Sequence, residues 1–311
     1  MNFKQIQYER VINILQKEKD IFNNDKGNGY FKGKPRAFVL KNAQNNLYSV
    51  IATDSIAYFE NNNICWWNGE LTNHTLSSQI ACLNHLFPIR NDKEAVLAIV
   101  KSIEPNIIDV LEILTDKTMP AFIQFEAVSN IDHLNEVTST RGSNCTSIDA
   151  LIYGLHKDGR KILFPIEWKY VESYGNEDKA CGEKGGTRKR RYTELINKSS
   201  QLKSDNVANY YFEPFYQLMR QTLWAEQMIA NKEVETIKAD DYMHINVIPS
   251  KNSQLLEKSY QCSGKNLENT WLSCINNQDK YVIVSPEELL KHIDSYKYTE
   301  LIEYLGKRYW W

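Results

Sequence analysis

From Lys161 to Tyr170 the even positions, Ile162, Phe164, Ile166, Trp168 and Tyr170, are all apolar. The odd positions hold Lys161, Leu163, Pro165, Glu167 and Lys169. A period of two predicts a strand with one buried face and one working face. The stretch TSIDALIYGL before it alternates likewise, with Ile148, Ala150, Ile152 and Gly154 set against Asp149, Leu151, Tyr153 and Leu155. The two stretches meet at Lys157–Asp158–Gly159, which predicts a hairpin. A three-residue turn with glycine in the left-handed position pairs Ile148 with Trp168, Ala150 with Ile166 and Ile152 with Phe164, and sets Asp149 beside Glu167. A two-residue turn at Asp158–Gly159 puts Asp149 opposite Trp168 and mixes the faces. A slip of one residue turns every side chain over, so the buried face selects the longer turn.

Other stretches carry their own signals. Residues 1 to 22 predict an amphipathic helix with Ile6, Val11, Ile14 and Leu15 on one face. FVLKN, LYSVIA and ICWWNGEL then predict strands. Leu76 to about Ile103 reads as helix broken at Pro88, with Ser77 or Ser78 as its N-cap. AFIQFEAV, from Ala121 to Val128, alternates as a strand, Pro214 opens a helix, and MHINVIP at 243–249 is a further strand. YVIVSPEELLKHI runs from strand into helix through Ser285–Pro286, a capping residue followed by a first-turn proline. The order helix, strand, hairpin, helix, strand predicts an α/β fold. Three stretches are expected: 1–75 as an N-terminal extension or small module, 76–250 as the core with a basic insertion at about 175–212, and 251–311 packed on that core.

The hairpin is where the chemistry concentrates. Two carboxylates placed as cross-strand neighbours repel unless a cation or proton lies between them. Magnesium suits all-oxygen ligands and keeps several waters, so Asp149 and Glu167 could hold it with few other groups. Lys169, two residues along the strand, lies on the face of Glu167 and could orient an attacking water. The bland alternative is a Glu167–Lys169 surface pair on an ordinary strand.

At these residues the chain resembles the PD-(D/E)XK nuclease superfamily, the restriction-endonuclease-like fold. Asp149 matches the first acid, with Ile148 in place of the usual proline, and Glu167 and Lys169 match the second half of the motif. The stretches SSQIACLNHLFPI and FIQFEAVSN to PIEWKY also resemble a bacterial branch of restriction-nuclease-like proteins. The resemblance implies a mixed central sheet flanked by helices and metal-dependent cleavage of nucleic acid, with Mg²⁺ as cofactor and Mn²⁺ able to substitute. That fold often sets a polar residue of the following helix near the metal, which makes Gln217 a candidate contact. Gln221, four residues on, shares its helix face. Glu126, on the strand before the hairpin, is the first candidate for a third acid, followed by Glu94 and then Glu136.

Charge and composition bound the rest. Arg141, just before the Asp149 strand, and the run Arg188, Lys189, Arg190 and Arg191 are candidate phosphate contacts; such runs are by default solvated faces. A formal charge of −2 argues against coating nucleic acid by net attraction, but not against a nuclease with a basic cleft. Trp66 and Trp67 could stack on bases, although burial in the core is the stronger expectation. The six cysteines have neither C-x-x-C nor zinc spacing and read as free thiols. No apolar run reaches a membrane span and no signal sequence opens the chain, so a cytoplasmic protein is expected. The expected partner is double-stranded DNA, and cutting both strands with one site per chain calls for a homodimer. Two rivals stand beside the nuclease: a nucleic-acid-binding protein of the same fold without catalysis, and an α/β enzyme acting on a nucleotide.

Overall fold

Asn2 starts the first helix, α1 (Phe3–Lys17), by a reciprocal cap: its side chain accepts from the Gln5 N–H at 2.9 Å while Gln5 Oε1 takes the Asn2 N–H at 3.0 Å. Phe3, Gln7, Val11, Ile14 and Leu15 turn inward at helical spacing. In a computed structural model of the chain, residues 1–114, 121–137 and 145–310 are described. After α1 come a small hairpin, β1 (Gly29–Phe31) and β2 (Lys34–Arg36), then α2 (Ala52–Asn61), α3 (Ser78–Leu86) and α4 (Lys93–Ile103). The strands β3 (Ile107–Val110), β4 (Ile123–Ala127), β5 (Ile148–His156) and β6 (Lys161–Trp168) follow. Helices α5 (Gly185–Lys198) and α6 (Phe215–Ala230) lead to β7 (Asp241–Tyr242) and β8 (His244–Val247). The chain ends with α7 (Ser253–Leu256), α8 (Leu267–Cys274), β9 (Tyr281–Val284), α9 (Pro286–Leu289) and α10 (Thr299–Arg308).

The hairpin register is the expected one. Ala150 lies opposite Ile166, Ile152 opposite Phe164 and Leu155 opposite Lys161. The His156 N–H reaches the Arg160 carbonyl at 2.9 Å, which closes a Lys157–Asp158–Gly159 turn, and Gly159 has φ +89°. A side chain at that angle would be strained. Around β5 and β6 a seven-stranded mixed sheet assembles. Antiparallel β3 and β4 lie end to end along β5, while β7 and β8 run parallel to β6, with β9 parallel beyond β8. This is the α/β class, a mixed sheet flanked by helices.

The working face expected along β6 does not exist. Leu151 and Leu163, on the odd face, are fully buried beneath α5, α6, α7 and α8. The even face packs under α1 to α4 and α10. Central strands covered on both sides become apolar on both faces, so polar chemistry is driven to the strand ends. The N-terminal strand expectation is also corrected. LYSVIA and ICWWNGEL contribute no strand; instead Ile51, Ser55, Tyr58 and Phe59 recur at helical spacing and bury one side of α2. FVLKN makes a lone bridge, Val39 to His74, and the N-terminal strands are β1 and β2.

The C-terminus joins the same apolar layer as the N-terminus. Arg10 donates to the carbonyls of Gly306, Lys307 and Trp310, at 3.0, 2.9 and 2.7 Å. His85 is buried there, with Nδ1 2.7 Å from the Ala81 carbonyl and Nε2 accepting from Trp310 Nε1–H at 3.1 Å. These partners require a neutral ring, and burial, aided by Arg308, lowers its pKa to about 3. The unfolded chain therefore binds the extra proton between about pH 6.5 and 3, and stability falls as pH drops through that window. His85→Gln should flatten the slope of unfolding free energy between pH 4 and 6 by about 1.4 kcal/mol per unit, measured by urea titration. An unchanged slope would show that His85 does not carry this dependence. Among the described residues no helix is long and apolar enough to cross a membrane.

Candidate active site

Asp149 and Glu126 mark a break in the alternation of their strands. Phe125 faces Ala150 and Ala127 faces Ile148, so Glu126 lies beside Asp149. Phe125, Ala150 and Ile152 belong to one apolar layer, whereas Ala127 and Ile148 belong to the other. In a regular strand residues two apart share a face. Glu126 has φ +48°, a conformation costly for a side-chain-bearing residue and often retained where function needs it. The twist frees the two acids from either apolar layer. It also corrects the expectation that Ile148 shares the face of Ala150.

Glu167 and Lys169 leave the end of β6 toward α6. Glu167 is 1% exposed. One of its carboxylate oxygens pairs with the Lys169 ammonium and the other accepts from Gln221 Nε2. Lys169 also donates to Gln217 Oε1 at 2.6 Å. Gln217 and Gln221, one turn apart on α6, thus grip the acid–lysine pair from one helix face. Asp149 Oδ2 accepts the Trp168 N–H at 2.7 Å across the hairpin. Glu126 accepts from Gln79 Nε2 on α3 at 2.6 Å and from Ser147 Oγ at 2.8 Å.

All these side chains line one cleft of about 680 Å³. One wall comes from the N-terminal stretch, with Lys4, Phe31, Lys32, Trp67 and His74. The pKa of Asp149 is raised well above the usual carboxylate range, by burial first and then by Glu167 and Glu126; Lys169 and the Trp168 N–H oppose this. Burial pulls Lys169 down, but Glu167, with Tyr174, Glu172 and Asp149, outweighs it, so the ammonium stays charged. At the sheet end Asp149 therefore lies among the carboxylates of Glu167 and Glu126, with the Lys169 ammonium paired to Glu167. That excess of negative charge fits a divalent cation, and oxygen donors fit magnesium. Among the described residues no group of three or more His, Cys, Asp and Glu is arranged to hold a metal.

The other candidates scatter. Glu94 is exposed at the start of α4 and does not line the cleft. Glu136 is buried elsewhere, accepting from Thr146 Oγ1 and Tyr192 Oη at 2.7 and 2.6 Å and pairing with Arg220 at 3.0 Å. Arg141 falls outside the described residues. The run on α5 is split by helix geometry and none of it lines the cleft. Arg188 donates to the Lys179 carbonyl at 3.0 Å and Arg191 to the Glu136 carbonyl at 3.2 Å, while Lys189 and Arg190 face solvent. Cys145 lines the cleft, but burial and Glu136 push its thiol up to about 11, away from nucleophilic use. Sequence reasoning missed Gln79 and Ser147. Their link to Glu126 is tertiary, and S-S-Q at a helix start carries no signal beyond a cap.

An α/β protein with an acid–lysine pair and further carboxylates at the end of a mixed sheet is the class this geometry defines. The family model described as Restriction Endonuclease associating with ARP matches residues 13–310, and the chain belongs to that family. Membership makes restriction-endonuclease-type nuclease activity the coarse functional class. Searches of curated proteins and of solved structures gave no match.

Proposed function

We propose that the cleft is the catalytic centre of a metal-dependent nuclease of the PD-(D/E)XK type, cutting phosphodiester bonds of DNA in a restriction or defence role. The observation that carries this reading is the convergence on one cleft of Asp149, Glu167 and Lys169 from adjacent strand ends, with Gln217 and Gln221 fixing the last two. In this reading residues 76–250 are the catalytic core, and 1–75 and 251–311 pack on it. Asp149 and Glu167 would hold Mg²⁺ or Mn²⁺, which when bound acidifies an attacking water and offsets charge on the phosphoryl oxygens. Lys169 presents a fixed ammonium whose one remaining proton can orient that water or meet a phosphate oxygen. Glu167 keeps the ammonium charged, and Gln217 aims it. Glu126 would assist from the Asp149 side.

The rival reading is a nucleic-acid-binding protein of the same fold without catalysis. It draws on the engagement of both Glu167 oxygens and both Glu126 oxygens by protein groups. Incubation with plasmid, linear duplex, single strand and RNA, with Mg²⁺, Mn²⁺ or EDTA, separates the two. Strand breaks that need the metal are expected. Intact substrates throughout, with either ion, would favour the binding protein.

A further inference from the structure

The N-terminal part of the cleft lining has a composition that catalysis does not explain. From Lys26 to Thr53 the chain carries five Lys or Arg residues and no Asp or Glu, and of these five Lys32 lines the cleft. Lys32, at the turn of the β1–β2 hairpin, and Lys4, on α1, both line the cleft and both face solvent. Among the described residues neither forms a salt bridge with a carboxylate; Lys32 lies over the Phe31 ring at 5.6 Å and Lys4 over Tyr8 at 5.9 Å. His74 between them is pushed down to about 4 by burial and then by Lys4, with Lys32 adding to it, as expected of an electropositive wall.

The aromatic residues of this wall behave unequally. Trp66 stacks on Phe59 at 3.8 Å with the rings 10° apart, so it is spent on packing. Trp67 is 55% exposed, although it lines the cleft. The Trp67 backbone N–H donates to Gln79 Oε1 at 3.3 Å, and Gln79 Nε2 in turn donates to Glu126. One glutamine therefore links the Trp67 main chain to the Glu126 carboxylate.

We infer that this wall binds one unpaired strand of nucleic acid, with a base stacked on Trp67 and phosphates held by Lys4 and Lys32. An exposed ring beside lysines offers a stacking platform with a backbone grip. A paired base inside a duplex has both faces covered by its neighbours, so a ring in a cleft can stack only on a base that is already out of the helix. The strand is then single to begin with, or comes from a duplex opened at the site. This deepens the nuclease reading above, because it names the form in which the substrate reaches the acids.

The test is equilibrium binding of fluorescent oligonucleotides in EDTA, where cutting plays no part. Single-stranded DNA, single-stranded RNA and duplex are compared on the full chain. Single strands should bind more tightly than duplex, with the DNA and RNA arms showing which sugar is preferred. Trp67→Ala should weaken single-strand binding roughly tenfold, and Trp67→Phe should restore most of it. Lys4→Gln with Lys32→Gln should reduce the salt slope by about 0.7 for each phosphate that is no longer neutralised. Equal single-strand affinity in Trp67→Ala and the lysine variants, tighter binding of duplex, or no binding by the native chain would overturn the inference. Parallel cutting assays keep the two ideas apart. Metal-dependent cutting with Trp67-independent binding removes this wall and leaves the nuclease; Trp67-dependent binding without cutting does the reverse.

Discussion

Asp149→Asn and Glu167→Gln should each slow metal-dependent cutting on the order of a thousandfold, while the protein stays folded. Asparagine at 149 keeps an oxygen for the Trp168 N–H and removes a buried acid whose ionisation burial, Glu167 and Glu126 oppose. Its thermal midpoint should therefore equal or exceed that of the native chain. A catalytic carboxylate held among like charges costs stability, so a loss of rate with a gain of stability is the expected signature. Glu167→Gln keeps the shape but gives up half of the pair with Lys169. Single-turnover cutting of labelled DNA and thermal unfolding of the same samples read both quantities. If both variants cut at the native rate, the carboxylates are not the catalytic acids.

Glu136→Ala should be the most damaging single change to stability outside the apolar core, costing about 3–5 kcal/mol. The carboxylate accepts from Thr146 Oγ1 and Tyr192 Oη and faces the Arg220 guanidinium, whose own pKa it helps to raise despite burial. Removing it leaves a largely buried cation and two hydroxyls without their acceptor. Urea unfolding gives the number. Pairing Glu136→Leu with Arg220→Met should recover most of the loss, since no charge is then stranded. If the double variant is as unstable as the single one, the network holds the fold by shape rather than by charge. Because Thr146 neighbours Ser147, which bonds Glu126, the same experiment shows whether this network supports the cleft.

The hairpin register from Ala150–Ile166 to Leu155–Lys161 was legible because its information is local. Two runs of period two and a left-handed glycine set the register, and register set Asp149 beside Glu167. Helix breaks at Pro88, the cap at Ser77 and the Ser285–Pro286 start are equally local. LYSVIA was misleading because short aromatic and β-branched runs serve a buried helix as well as a strand. Family resemblance added Gln217, which periodicity alone would have left on a solvated face.

Local chemistry in the chain could say which residues alternate, where glycine must turn and which acids become neighbours. It could not say that β5 and β6 are covered on both faces, because burial depends on helices more than 100 positions apart in sequence, α3 and α8 among them. Tertiary packing alone moved the chemistry from a strand face to the strand ends, put Glu126 in a left-handed conformation, and split the basic run of α5 into tethered and solvated halves. It also carried Lys4, Lys32 and Trp67 into the cleft of the acids. Proximity between residues so distant along the chain leaves no period to read, and only the folded core determines it.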